Sequence, residues 1–433
     1  LQLVEQHCIK KSDPGFAAID AAAFASKNLY NQVTYQIRQD YIHRGKYLPY
    51  AEIFHRVKHL ECYQALPRKV SNSILILIDK NWRAYRNALN EWSVHPEKFT
   101  GKPNIPAYKH KEKGRNILLY DKQALGKRAF KKTGKLVPSG LPIEIETKVA
   151  WDQIDQVRIV PRGSSYVIEV VYQKEIKQAV VDPTLIAAID LGVNQLATVT
   201  STKPGFSPVL VNGRPLKHLN KYYNQQRARH QSRLSQHHGK TSCQLDRITT
   251  KCTRRVNHYL HTASRRIIDV LVAEGIGTLV IGLNKMWKQG VEMGKRNNQT
   301  FVSIPHHRFI EMLRYKAQLV GVIVVVREES YTSKASFLDL DEIPNYDPKR
   351  TEKPAFSGQR ETRGLYRASD GRRIQADVNG SYNILRKEFP HAFSESFLRG
   401  GQEILGAAVH PRQLIRKRRE DTGSSVRMSC LNG

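Results

Sequence analysis

Leu185-Ile186-Ala187-Ala188-Ile189-Asp190-Leu191-Gly192-Val193-Asn194 is the stretch on which the reading of this chain turns. Asp182-Pro183 supplies turn chemistry just before it. A short apolar run after such a turn reads as a buried strand. The run ends on a single carboxylate, at the strand end where open α/β sheets place ligands and chemistry. Gly192 lets backbone or ligand come close. Leu196-Ala197-Thr198-Val199-Thr200 reads as a second strand. Asp190 could equally cap a turn after any core strand, and only the downstream sequence separates the two readings.

The 433 residues suffice for two or three domains. Lys and Arg number 70 against 39 Asp and Glu, a net charge of +31. Such an excess repels itself unless a polyanion compensates it, so nucleic acid is the expected partner. A membrane is not expected, because no apolar run reaches the roughly 18 residues of a spanning helix. No signal peptide is read at the N-terminus. Cys8, Cys62, Cys243, Cys252 and Cys430 form no C-x-x-C pair and no even disulfide framework. A reducing, cytoplasmic setting is expected, and a structural zinc site is not.

Residues 1–12 read as one strand pairing with a later sheet. Three helical patterns follow, from Gly15 to Gly45, Tyr50 to Leu66 and Arg68 to Trp92, and make a small bundle. Pro96 to Pro106 is a linker that opens into the basic stretch Tyr108-Lys109-His110-Lys111. An aromatic beside lysines suits contacts to a nucleic-acid backbone, although a charge run is often only a solvated face. From Asn116 to Lys174 the period becomes that of strands, read as a small antiparallel barrel.

The sheet that holds Asp190 continues to Val211. A basic helical section spans Leu216 to Glu274, interrupted near His237-His238-Gly239. It carries Arg227, Arg229, Arg233, Arg247, Lys251, Arg254 and Arg255, and its second half also has an apolar side from Val256 to Leu271. One packing face and one cationic face is what a helix pair along a phosphate backbone requires. Thr278-Leu279-Val280-Ile281-Gly282 and Val322-Ile323-Val324-Val325-Val326 read as further buried strands, with a helix from Pro305 to Leu319 between them. Residues 333–373 look irregular. Gln375-Ala376-Asp377-Val378-Asn379-Gly380 places an Asp at the start of a helix. The tail reads as disordered.

These motifs, in this order and together with Tyr331-Thr332-Ser333-Lys334, resemble the TnpB proteins of insertion-sequence transposons over nearly the whole chain. The resemblance implies a multidomain α+β fold. Its centre would be an RNase H-like (RuvC) α/β nuclease domain, with an antiparallel β-barrel wedge domain and an inserted helical recognition bundle. The implied layout is a wedge strand at 1–12, a recognition domain at 13–105 and the wedge barrel at 106–182. The first part of the nuclease domain, with basic helices 216–274, is at 183–332. An insertion in place of a zinc ribbon, a target-strand loading region, is at 333–374. The third-motif helix is at 375–400 and a basic tail at 401–433. The implied activity is that of an RNA-guided DNA endonuclease, whose partners are a transposon-end guide RNA and target double-stranded DNA. As a molecule it is expected to be a monomer or weak dimer. Cleavage would use Asp, Glu and Asp with two Mg²⁺ ions, because Mg²⁺ prefers hard oxygen ligands.

Asp190 and Asp377 match the first and third positions of that pattern. The second, a Glu after the middle strand, is Gly282 here, and 331–376 contain no cysteine for a zinc ribbon. Two readings follow. In one, Glu329 (with Glu328 as alternative) supplies the missing ligand from the end of the neighbouring strand; Glu292 and Glu311 are weaker substitutes. In the other, the nuclease is dead and the protein is a guided, repressor-like DNA binder. A basic nucleic-acid binder without a site is the third possibility, and the retained Asp190 and Asp377 argue against it. Ser333, Lys334, Arg360, Arg363, Arg367, Arg372 and Arg373 are expected near the substrate strand. The 333–373 segment is expected to be poorly ordered without nucleic acid.

Overall fold

The computed structural model describes residues 1–237, 239, 241–283, 303–347, 354–393 and 408–415. Glu292 and most of the expected basic tail lie outside the described residues. The chain forms two compact units, Leu1–Glu175 and Ile176–Gly433. Among the described residues, no helix is long and apolar enough to cross a membrane.

In the first unit, β1 (Gln2–Lys10) precedes α1 (Phe16–Arg44), α2 (Tyr50–Val57), α3 (Glu61–Gln64) and α4 (Arg68–Val94). The helix expected from Tyr50 to Leu66 is therefore two, broken at residues 58–60. Gly45 ends α1 in the left-handed conformation that only glycine adopts cheaply. Next come β2 (Leu118–Asp121), α5 (Lys127–Thr133), the short β3 (Lys135–Leu136) and β4 (Ile145–Glu146), then β5 (Ile154–Arg162) and β6 (Ser165–Gln173). The sheet order is β1-β6-β5-β2, with β3 and β4 a separate pair. β1 and β2 stand at its two edges, so the expected barrel takes the form of an open sheet. One core joins this sheet to the helices, running from Ile19 and Val33 through Ile74 and Trp82 to Ile159 and Ile168.

The second unit is built on a six-stranded mixed sheet. β7 (Asp182–Leu191), β8 (Gln195–Ser201) and β9 (Val209–Asn212) are antiparallel neighbours. The pair α6 (Arg214–Ser235) and α7 (Cys243–Ala273) then leads to β10 (Ile276–Gly282), which returns parallel to β7 on its other side. α8 (His306–Gln318) leads to β11 (Ile323–Arg327), parallel to β10. Residues 359–375 form β12 (Gln359–Thr362), β13 (Leu365–Arg367) and β14 (Arg373–Gln375), a three-stranded sheet where an irregular segment was expected. α9 (Ala376–Glu388) follows, and β15 (Arg412–Gln413) adds to β9.

Alternation along the central strands assigns their two faces. Ala187 and Ile189 of β7, with Leu279 and Ile281 of β10, pack among the apolar residues of α7 and α8. Ile186, Ala188 and Val280 point the other way, into a core shared with α9 and with Phe337, Tyr366 and Ile374. Asp190 and Gly282 continue the second set. The strand period therefore delivers both positions to the face covered by α9.

Candidate active site

α9 is fixed to the sheet by buried polar contacts. The Ser381 hydroxyl lies 3.0 Å from the Ala188 carbonyl, 3.1 Å from that of Thr198 and 2.9 Å from Thr200 Oγ1. Asn379 and Asn383, both fully buried, donate to the Ala335 carbonyl, and Asn383 also donates to that of Thr332. Gly380 lies against the Asp190 carboxylate. A Cβ there would lie 3.1 Å from Asp190 Oδ2. Gln375 caps the helix by accepting from the Val378 N–H, and its side-chain amide donates to Asp377 Oδ2 at 3.1 Å. Asp377 thus sits in the first turn, where the helix dipole favours negative charge.

Gly282 ends β10 one residue after the Ile281–Ile189 pair, level with Asp190, and it pairs with Arg327 at the end of β11. Glu328 and Glu329 follow directly. A Cβ at Gly282 would lie 2.6 Å from Glu329 Oε2 and 2.5 Å from Ile384 Cδ1. The Glu329 carboxylate occupies the space into which a side chain at 282 would grow. The turn behind it is tight: Thr332 donates to the Glu329 carbonyl through its hydroxyl at 2.9 Å, and Tyr331 has φ of 66°.

Glu328 turns elsewhere. It pairs with the buried Lys387, whose ammonium also reaches the Ser330 and Pro344 carbonyls. Burial pushes the Glu328 carboxyl up, but Lys387 and Ser330 outweigh it and hold it below its ordinary value. Glu329 is pushed up to about 7, first by burial and then by the Glu328 charge, with Lys387 opposing. Asp190 lies well above the usual carboxylate range. Burial is the largest cause, followed by the charges of Glu329 and Asp377, with Arg360 and the Leu191 N–H pulling down. Arg360 of β12 stands 3.9 Å from Asp377 Oδ1.

Asp190, Glu329 and Asp377 therefore share one electrostatic neighbourhood. Among the described residues, no three His, Cys, Asp or Glu side chains converge tightly enough to hold a metal ion. The chemistry of the donors nevertheless suits Mg²⁺: they are oxygens only, and their mutual repulsion is what a hard divalent cation relieves. Zinc has no fit in the 331–376 segment, which lacks cysteine. Glu311, on α8, bonds to Arg314 one turn along its own helix.

A probable-transposase family model, OrfB_IS605, matches residues 167–288, which include Asp190 and Gly282. A second, described as the Cas12f1-like TNB domain, matches residues 306–384, which include Glu329 and Asp377. TnpB-like protein ORF457 of Acidianus two-tailed virus is 22% identical over 400 residues, covering 84% of this chain and 81% of its own. Over most of its length the chain is similar to this TnpB-like protein. Among solved structures, the Cas12f1–sgRNA–target DNA complex is similar with a TM-score of 0.48 and 16% identity, over 84% of this chain and 82% of that one. The mini-RNA-guided endonuclease CRISPR-Cas_phi3 is similar with a TM-score of 0.43 and 10% identity, over 89% and 92%.

Two surfaces of this chain carry the remaining candidate residues, one in each unit. In the second, Arg227, Arg229 and Arg233 of α6 and Arg247, Lys251, Arg254 and Arg255 of α7 are all exposed. Between the helices runs an open groove of about 780 Å³, lined by Leu219, Tyr222, Tyr259, Arg254, Arg255 and His258 among others and by no acid. Tyr222 is 60% exposed. The sequence reading noted the cations and missed this aromatic; its place one helical turn after His218 on the groove side was the available signal.

In the first unit, Tyr108, Lys109 and Lys111 lie on a strap laid along α1. Asn31 exchanges two hydrogen bonds with Lys109, its amide donating to the carbonyl at 2.9 Å and its carbonyl accepting from the N–H at 2.8 Å. Lys27 donates to the Lys111 carbonyl at 2.6 Å, and Arg38 to that of Pro106 at 3.0 Å. With the backbone tied to α1, the Tyr108, Lys109 and Lys111 side chains stand exposed. Arg38 lies over the Tyr108 ring.

Proposed function

We propose that this protein is an RNA-guided DNA endonuclease of the transposon type, with an Asp190–Glu329–Asp377 site in which Glu329 stands in for the acid that Gly282 lacks. The second unit is read as an RNase H-like (RuvC) nuclease, its three antiparallel strands followed by two parallel ones. The 333–374 segment is read as its target-strand loading region. The first unit is read as the recognition bundle and wedge. The observation that carries the reading is the Glu329 carboxylate in the side-chain space of position 282.

Asp190, Glu329 and Asp377 would hold Mg²⁺, which when bound supplies Lewis acidity for phosphodiester hydrolysis. Asp190 and Glu329 are the groups whose raised protonation a cation reverses. Arg360 is placed to meet the negative charge that grows on a phosphate during cleavage. The exposed cations of α6, α7 and the 106–115 strap suit the backbones of the guide RNA and the target DNA. Ion pairing with a guide RNA also answers the net charge of +31.

The test is cleavage of a plasmid that carries a matched target and a randomised flanking region. Protein co-expressed with its transposon-end RNA is used in Mg²⁺. Asp190→Ala, Glu329→Ala and Asp377→Ala are each expected to lower the rate on the order of 10²-fold or more. Glu328→Ala is expected to retain cutting. Guide-dependent DNA binding without cutting by the parent protein would replace this reading with that of a guided binder.

A further inference from the structure

The 331–375 segment is held by two aspartate–serine pins. Asp341 Oδ2 accepts from the Ser336 N–H at 2.7 Å and from the Ser357 N–H at 3.1 Å, and Asp341 Oδ1 accepts from the Ser357 hydroxyl at 2.5 Å. Asp339 does the same for Ser369, whose N–H and hydroxyl donate at 3.0 and 2.6 Å. The Asp339 N–H donates to the hydroxyl of the fully buried Ser336 at 3.2 Å. Leu340, between the two aspartates, has φ of 55°, a conformation disfavoured for a branched side chain, and it sends the two carboxylates to different partners. Arg372 and Arg386 donate to the Leu338 and Asp341 carbonyls. One turn of chain thus gathers Ser336, Ser357 and Ser369, three points separated by 21 and 12 residues.

The pins also aim a side chain. Ser357 is followed by Gly358, which packs against the Tyr366 side chain; a Cβ there would meet Tyr366 Cε1 at 2.6 Å and the Arg367 carbonyl at 2.7 Å. Tyr366 is itself anchored, its hydroxyl donating to the Lys334 carbonyl at 2.7 Å. Two residues beyond Gly358, Arg360 pairs with Tyr366 in the β12–β13 ladder and stands 3.9 Å from Asp377. We infer that Asp341, through Ser357, is a positioning residue for Arg360, and that the two carboxylate pins hold this segment without a metal. The role of Arg360 rests on the nuclease reading above; the holding of the segment does not.

Trypsin reads the pins directly, because Arg360, Arg363 and Arg367 lie within the segment. In the full-length protein, Asp341→Asn and Ser357→Ala are expected to speed cleavage after these arginines about tenfold, the loss of a hydrogen bond to a charged group. Ser357→Thr keeps the hydroxyl and is expected to stay within about twofold of the parent. Ser357 is exposed, so Ser357→Ala tests the pin even where Asp341→Asn compromises folding. A zinc-selective chelator is expected to leave the parent's rate unchanged. Parent-like rates for both variants, or acceleration of the parent by the chelator, would overturn the inference. In the DNA-cutting assay, Asp341→Asn is expected to lower single-turnover rate but not DNA affinity, and to add nothing in an Arg360→Ala background. Additive losses would remove the link to Arg360. A parent that cuts no DNA would sink the nuclease reading alone, while the protease pattern still decides the pins.

Discussion

A single methyl group at position 282 would collide with the Glu329 carboxylate and with Ile384. Gly282→Ala is therefore expected to cost roughly 1–3 kcal/mol by overpacking, read as a lowered thermal midpoint, and to displace Glu329. Glu329 itself links stability to pH. Its ordinary value of 4.5 becomes about 7 in the folded chain. Between those values the folded state binds more protons than the unfolded one, so stability falls as pH rises through the window. In EDTA, Glu329→Gln is expected to raise stability at pH 8 by on the order of 1–3 kcal/mol and to match the parent near pH 4.5. An equal gain at both pH values would contradict the assignment. At this scale the positions of Asp190 and Asp377 in the fold were legible, each lying at an end of a regular element with its own pattern. The proposed choice of Glu329 over Glu328 was not, because it rests on the pairing of Glu328 with Lys387, nearly sixty residues away and buried against the turn.

Elements with a long apolar face were read correctly from periodicity alone: α1, α4, α7 and the four central strands. The segment 331–375 was not. β12 is Gln359–Thr362 and exposed at every position, so no alternation marks it as a strand. Its order comes from side-chain bonds to distant backbone, which leave no local signature. α5 escaped for a similar reason, since it has no buried residue. The packing of α9 has a measurable consequence. Ser381→Ala removes polar contacts to two strands at a fully buried site and is expected to cost about 1–3 kcal/mol in urea unfolding. On the cationic face, Arg247→Glu with Lys251→Glu is expected to weaken binding of the transposon-end RNA. It should also flatten the slope of log affinity against log salt by roughly two. An unchanged slope would move the RNA off α6 and α7.

The molecule as a whole carries +31 charges on 433 residues, so the RNA-free protein is expected to associate or precipitate at low salt and to be rescued by RNA. Light scattering across a salt series checks this; monodisperse RNA-free protein at low salt would refute it. The two units meet in the chain at an exposed stretch, residues 173–178. Brief trypsin treatment is expected to cut first after Lys174 and to leave two fragments that keep their secondary structure. β1 has a further consequence for how this architecture is reached. All nine of its residues pair with Ser165–Gln173, at the far end of the first unit. On a ribosome adding about 5–20 residues per second, β1 emerges roughly ten to thirty seconds before β6, its neighbour in the sheet. The helices α1 to α4 are complete long before that. The newborn chain must therefore keep an unpaired strand waiting while the bundle assembles, and the sheet closes last, on a strand made long before.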